Sequence, residues 1–199
     1  MDSTLSTSAK SDKSPTPPML DASRATVELL IQHRTSDLSI KEMAAHAGIS
    51  ERTFYRYFPR KEDVVRPFFQ SGLRRIVTNF NARPEYESIL DSLRAVWSDA
   101  WPVQDAEASR LLFHILESQD SYRAVRLQVV IDSELLWAEA IARRLGIDAH
   151  SRQAMFAGAA VVTAFRMAWQ AFSLDRSLDP IETLMANVDI FKEILLAPA

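Results

Sequence analysis

Apolar residues recur every three or four positions along most of this chain, and nowhere do they alternate with the two-residue period of a strand. The first helix is expected from Asp21, a plausible N-cap, to about Arg34, with Val27, Leu30 and Ile31 as its inward stripe. A second, short helix starts at Ser39, which stands three residues before Glu42 as in a capping box. It carries Ile40, Met43, Ala44 and Ala47 on one face and ends at Gly48, where a left-handed residue costs least. Ser50 caps a third helix that Pro59 closes. Wound as an α-helix, that third segment places Phe54 and Phe58 on one side and Arg52, Tyr55 and Arg56 on the opposite one, with Thr53 and Tyr57 between. Longer helices are expected at 61–81, with Pro67 near the start or as a kink, and at 85–101, where Pro102 stops the pattern. Others follow at 105–118, at 121–145 (ended by Gly146), at 151–174 and at 180–196. There is no internal repeat. The fold class expected is all-α.

Composition narrows this further. A chain of 199 residues with 47% hydrophobic content can bury one large core, or a small one joined to a larger. The absence of cysteine excludes disulfides and thiolate metal sites and fits a cytoplasmic location. Residues 1–18 are rich in Ser, Thr and Pro and lack an apolar run, so they are expected to be a disordered tail and not a signal peptide; Lys10 and Lys13 leave a basic arm on DNA as an alternative. The apolar stretch 154–164 is too short to span a bilayer. Charge is uneven. Residues 19–75 hold ten Lys/Arg against seven Asp/Glu, whereas 76–199 hold eleven against seventeen, a basic head on an acidic body.

Residues 39–63 carry the chemistry. Two short helices around a tight turn, with Arg and Tyr exposed on the second, are how a helix-turn-helix presents side chains to the major groove. The pattern Ile40-x-x-Met43-Ala44-x-x-Ala47-Gly48-Ile49-Ser50, followed by Thr53-Phe54-Tyr55-x-Tyr57-Phe58-x-x-Lys61-Glu62, resembles the TetR family of one-component transcriptional regulators over about residues 24–70. The resemblance implies a three-helix DNA-binding head at 19–65 and a larger helical body at 66–199 for ligand binding and dimerisation, entered through a linking helix. It also implies a homodimer formed by the last two long helices, and a small effector that shifts the heads out of register with a palindromic operator. Tyr55, Tyr57 and Lys61 match the family's phosphate-contacting positions. Arg52 and Arg56 match positions facing bases or phosphates, and Ser39 and Ser50 match backbone-anchoring ones. The family often has Gly where this chain has Arg52, and Gly before the second helix where it has Asp37-Leu38; the first departure is expected to change operator preference, since Arg pairs bidentately with guanine. The stretch Arg52 to Val65 is also similar to a subset associated with acyl-CoA-like ligands, including the mycofactocin regulator.

The body is less specific. The segment 151–174 is apolar almost all round, which places it between its own bundle and a partner subunit or else wholly within one core; Gly158, Ala159 and Ala160 permit close approach in either case. Leu184, Val188, Phe191, Ile194 and Leu195 in the last segment would complete a partner surface. Trp97, Trp101, Phe113, Trp137 and Trp169 are candidates to line an effector pocket, or are ordinary core. Arg110 and His114 share a helical face that reaches such a pocket or solvent. Arg166 either clamps an anionic group or forms a structural ion pair. No Gly-rich phosphate loop, nucleophile elbow or metal-binding His spacing occurs, so neither catalysis nor a cofactor is expected. The function expected is a sequence-specific DNA-binding regulator, acting as a ligand-responsive repressor. Its partners would be double-stranded operator DNA, a second copy of the chain and an acyl-CoA-like, anionic or hydrophobic effector, with no membrane involved. The alternative is a helical small-molecule or partner-binding protein that does not bind DNA.

Overall fold

The computed structural model describes residues 15–100 and 106–196, with side chains described through Ile190. The described residues are helical with no strand. The order is α1 (Pro17–His33), α2 (Ile40–His46), α3 (Glu51–Tyr57), a 3-10 turn (Lys61–Val65), α4 (Arg66–Asn81), α5 (Ile89–Ala100), α6 (Ala106–Glu117), α7 (Asp120–Asp132), α8 (Glu134–Leu145), α9 (Arg152–Leu174) and α10 (Pro180–Leu196). Among them no helix is long and apolar enough to cross a membrane, and no group of His, Asp or Glu is arranged to hold a metal ion.

Several boundaries differ from those the periodicity suggests. Helix α1 begins four residues earlier than Asp21, with Pro17 and Pro18 in its first turn, where a missing N–H costs nothing. Only residues 15–18 of the expected tail are described; the rest, with Lys10 and Lys13, lies outside the described residues. The expected 61–81 helix is a 3-10 turn followed by α4, and Pro67 sits at the start of α4 without kinking its interior. The expected 121–145 helix breaks at Ser133. Its buried hydroxyl donates to the Val130 carbonyl at 2.6 Å, competing with the backbone ladder and separating α7 from α8.

Two cores organise the molecule. One joins α4, α5, α7, α8, α9 and α10 around Phe80, Trp97, Trp137 and Ala164. The other belongs to the first three helices, yet it is completed from the body: Leu30, Met43, Phe54, Phe58 and Val64 pack with Leu112, Leu116, Tyr122 and Val125 of α6 and α7. The boundary expected at residue 65 therefore falls inside a shared core. Buried Ser23 of α1 ties the two parts together. Its hydroxyl donates to the Val64 carbonyl and accepts the Phe68 N–H at 3.1 Å, satisfying a first-turn amide of α4. At the far end of α4, Glu87 accepts from Arg83 and from Ser92 of α5. The Arg83 hydrogen bond, then that of Ser92, holds its carboxyl down at about 2.

Helix α9 buries Ala154, Gly158, Val161 and Ala168 and leaves Met155, Phe156 and Met167 exposed. Gly158 serves an intramolecular contact: a Cβ there would lie 2.4 Å from the Glu134 carbonyl oxygen and 2.7 Å from the Ala138 nitrogen of α8. Gly158→Ala must push two helix backbones apart, and is expected to lower the unfolding free energy by about 1–3 kcal/mol in urea denaturation. An unchanged midpoint would mean that α8 and α9 do not cross this closely.

Candidate functional site

The first site is built on α2 and α3. Ser39 accepts the Glu42 N–H at 3.2 Å, while Glu42 accepts the Ser39 N–H at 2.7 Å, so two otherwise orphaned donors are paired at the start of α2. The hydrogen bonds from the Ser39 side chain and backbone hold the Glu42 carboxyl below its usual range. The turn follows from Gly48, which adopts the left-handed region at φ +66°, and from the Ile49 N–H bonded to the Ala44 carbonyl at 3.0 Å. Ser50 then caps α3 by accepting the Thr53 N–H at 3.1 Å. Both serine hydroxyls are thus engaged in starting helices, although both residues are exposed.

Helix α3 is sharply two-sided. Phe54 and Phe58 are 0% exposed and meet edge-on with ring centroids 5.0 Å apart. Arg52, Tyr55 and Arg56 are exposed on the other side, Tyr55 at 53%, and Thr53 and Tyr57 are half-buried between the two. The Arg56 guanidinium lies 5.3 Å from the centre of the Tyr57 ring, whose edge packs on Phe58. Among the described residues neither Arg52 nor Arg56 forms an ion pair, and the same holds for half-buried Lys61. Their neighbour Arg60 is different: it pairs bidentately with Asp63 at 2.9 and 3.1 Å, which neutralises it and anchors the 3-10 turn. The face carries positive charge and hydrogen-bond donors that no acidic side chain among the described residues pairs with.

The second site is a cavity of about 310 Å³ between α1, α4, α5, α6, α7 and α9. Trp97 and Trp169 line it, together with Phe165, which stacks on Trp97 at 4.2 Å. Trp137 stands behind Trp97, stacked at 6.1 Å and almost fully buried. The other candidates are placed elsewhere. Arg110 donates to the Phe172 carbonyl at 3.0 Å and lies over the Phe172 ring, while His114 meets the Ser173 carbonyl at 3.0 Å. Both side chains therefore satisfy carbonyls at the end of α9, the usual station for a cation or donor at a helix C-terminus. Phe113 is buried beneath the Arg126 guanidinium. Arg166 is half-buried, does not line the cavity and has no carboxylate partner among the described residues. Trp101 lies outside the described residues.

Sequence reasoning missed Arg126, which lines the cavity and is 7% exposed. The signal was present: Arg126 interrupts the apolar stripe Tyr122, Val125, Val129, Val130 of α7. It also missed Arg24, which brings α1, the first helix of the head, into the cavity wall.

Together these features define a helical protein with an amino-terminal helix-turn-helix and a hollow helical body. Residues 23–66, the helix-turn-helix segment, match the family model described as bacterial regulatory proteins, tetR family. The all-helical fold of the whole chain is similar to that of solved tetR-type regulators. It is similar to the fatty acid degradation regulator FadR from Bacillus halodurans at 20% identity and a TM-score of 0.55, with 93% of this chain and 97% of that chain covered. A tetR-family transcriptional regulator from Streptomyces coelicolor superposes at 16% identity and a TM-score of 0.51, covering 90% of this chain and 80% of the other. None of the curated proteins compared with the chain matches it.

The two faces of α3 should separate in stability measurements. Phe54→Ala is expected to cost about 3–5 kcal/mol, whereas Arg52→Ala and Tyr55→Ala are expected to stay within about 0.5 kcal/mol of the parent in chemical denaturation. Should Tyr55→Ala destabilise as much as Phe54→Ala, the outer face is packed and not free.

Proposed function

We propose that this protein is a sequence-specific DNA-binding transcriptional regulator and acts as a ligand-responsive repressor. The observation that carries this reading is the exposed Arg52–Tyr55–Arg56 face, held outward by two fully buried phenylalanines. Unpaired guanidinium and ammonium groups on a short helix match the phosphates and base edges of a duplex. In this reading Arg52 and Arg56 read bases or phosphates, and Tyr55, Tyr57 and Lys61 grip phosphate. Thr53 stands at the edge of the groove, while Ser39 and Ser50 set the helix starts beside the backbone.

The active species is a homodimer whose two α3 helices enter successive major grooves of a palindromic operator. Exposed Met155, Phe156 and Met167 of α9, with Ile190 of α10, support a partner surface on the last two helices. The cavity is the effector site. Its wall includes Arg24 of α1 and Phe68 of α4, so an occupant bears directly on the helices that carry the head. An effector releases DNA only if it favours a head spacing that the operator rejects; equal affinity for both spacings shifts nothing. A small hydrophobic or anionic effector fits this site. Acyl-CoA-like ligands are the class that the head's sequence resemblance implies, and the protein acts in the cytoplasm.

Fluorescence anisotropy with the region upstream of its own gene, against random duplex, tests the reading. Arg52→Ala is expected to cost about 1–3 kcal/mol on the specific site and to relax base preference. Lys61→Ala is expected to weaken both duplexes alike and to reduce the salt slope by about one unit. Parent-like binding of both DNAs by both variants would show that α3 is not the groove element.

A further inference from the structure

The walls of the cavity are chemically one-sided. Three guanidinium groups line it, from Arg24, Arg75 and Arg126, and among the described residues no carboxylate does; the rest is mostly apolar, with Trp97, Phe165 and Trp169 as its largest surfaces. Arg24 and Arg75 are exposed, so they stand where the cavity meets solvent. Arg126 is 7% exposed, and its Nη2 pairs with Glu117 while its Nε finds no acceptor among the described residues. Trp97, at 2% exposed, is in the same position: its Nε1 has no acceptor among the described residues. Buried donors without partners are rare in folded proteins, and here two belong to residues that line one cavity. Both are donors, so what is missing is an acceptor. Glu117 occupies only one edge of a guanidinium that carries five N–H groups, which leaves Arg126 able to hold a second anion.

The geometry points to an amphipathic organic anion as the effector, its apolar body against the Trp97–Phe165–Trp169 surface and its acceptor oxygens drawn to the cavity's arginines, Arg126 foremost. This rests on the reading of the cavity as the effector site and adds the charge of what enters it. The volume of about 310 Å³ lies at the small end of the roughly 300–1,000 Å³ usual for ligand pockets. It suits a medium-chain or compact aromatic acid, or the acyl part of a larger thioester whose phosphates remain outside beside Arg24 and Arg75.

Titration of the full-length protein with decanoate, decanol and decyltrimethylammonium, followed by calorimetry and tryptophan fluorescence, varies head charge at one chain length. Decanoate is expected to bind at least about tenfold more tightly than decanol, with the cation weakest. Arg126→Met is expected to erase the carboxylate-to-alcohol ratio. Should that variant fail to fold, Trp97→Phe removes the second buried donor while keeping a ring, and Arg75→Met removes a surface cation; each is expected to lower the ratio. Decanoyl-CoA separates the two sources of the anion: binding lost in Arg75→Met assigns it to thioester phosphates, and decanoate binding lost in Arg126→Met assigns it to a free acid. Equal affinity for decanoate and decanol, preference for the cation, no binding of either anionic probe, or an unchanged ratio in all folded variants overturns the inference. A gel shift with the upstream DNA, run in parallel, keeps the two claims apart. Absent DNA binding with an intact charge preference removes the regulator reading alone, and intact DNA binding without charge preference removes only this inference.

Discussion

The orientation of α3 is set by Phe54 and Phe58, one turn apart and fully withdrawn from solvent. A seven-residue helix has little stability of its own, because nucleation consumes most of what its few hydrogen bonds return. It persists because its aromatic side is buried in the core that also holds Leu30, Met43 and Val64, a core that residues of α6 and α7 complete. The same burial determines which residues remain outside. Arg52, Tyr55 and Arg56 are exposed as a geometric consequence of where the phenylalanines go. The chemistry of the outer face is thus inseparable from the packing of the inner one.

That inner packing also joins the two halves of the molecule. The core under α3 includes residues of α6 and α7, and the cavity begins on the other side of those helices, with Leu112 shared between the two. Ser23 fastens α1 to the beginning of α4, one residue from Arg24 in the cavity wall. A molecule seated against Phe68, Arg24 and Leu112 touches the supports of the head directly. No long relay is required, only two packings of α1 and α4 that an occupant distinguishes.

Much of the head was legible because its determinants are local. A capping box, a left-handed glycine, a second serine cap and two phenylalanines four apart each act within a few residues, and together they delimit α2 and α3. The all-helical class was legible from the same periodicity. The start of α1 was not, because Pro17-Pro18 reads as a breaker when no earlier context shows it in a first turn. Nor was the break at Ser133, where the interrupting hydrogen bond comes from an ordinary side chain without glycine or proline. The cavity was legible only in part. Trp97 and Trp169 line it, yet Arg110 and His114, on a plausible face, instead close the carbonyl end of α9, and Arg126 went unnoticed. Which helix faces meet across a bundle depends on tertiary pairing, so the Arg110–His114 face carries no local sign of its partner, whereas Arg126 is marked only by its break in the apolar stripe of α7.

The chain's four tyrosines provide a direct test of the central claim, that the outer face of α3 receives a duplex. Tyr55 is 53% exposed on that face and Tyr57 half-buried beside it; Tyr86 is 92% exposed far along the chain, and Tyr122 is buried at 1%. Nitration rates at each tyrosine, measured by mass spectrometry with and without saturating DNA from upstream of its gene, separate these environments. The account predicts that Tyr55 and Tyr86 react readily in the free protein, that Tyr122 does not, and that DNA shields Tyr55 while leaving Tyr86 unchanged. Undiminished nitration of Tyr55 in the bound state, or shielding of Tyr86 in its place, would contradict it.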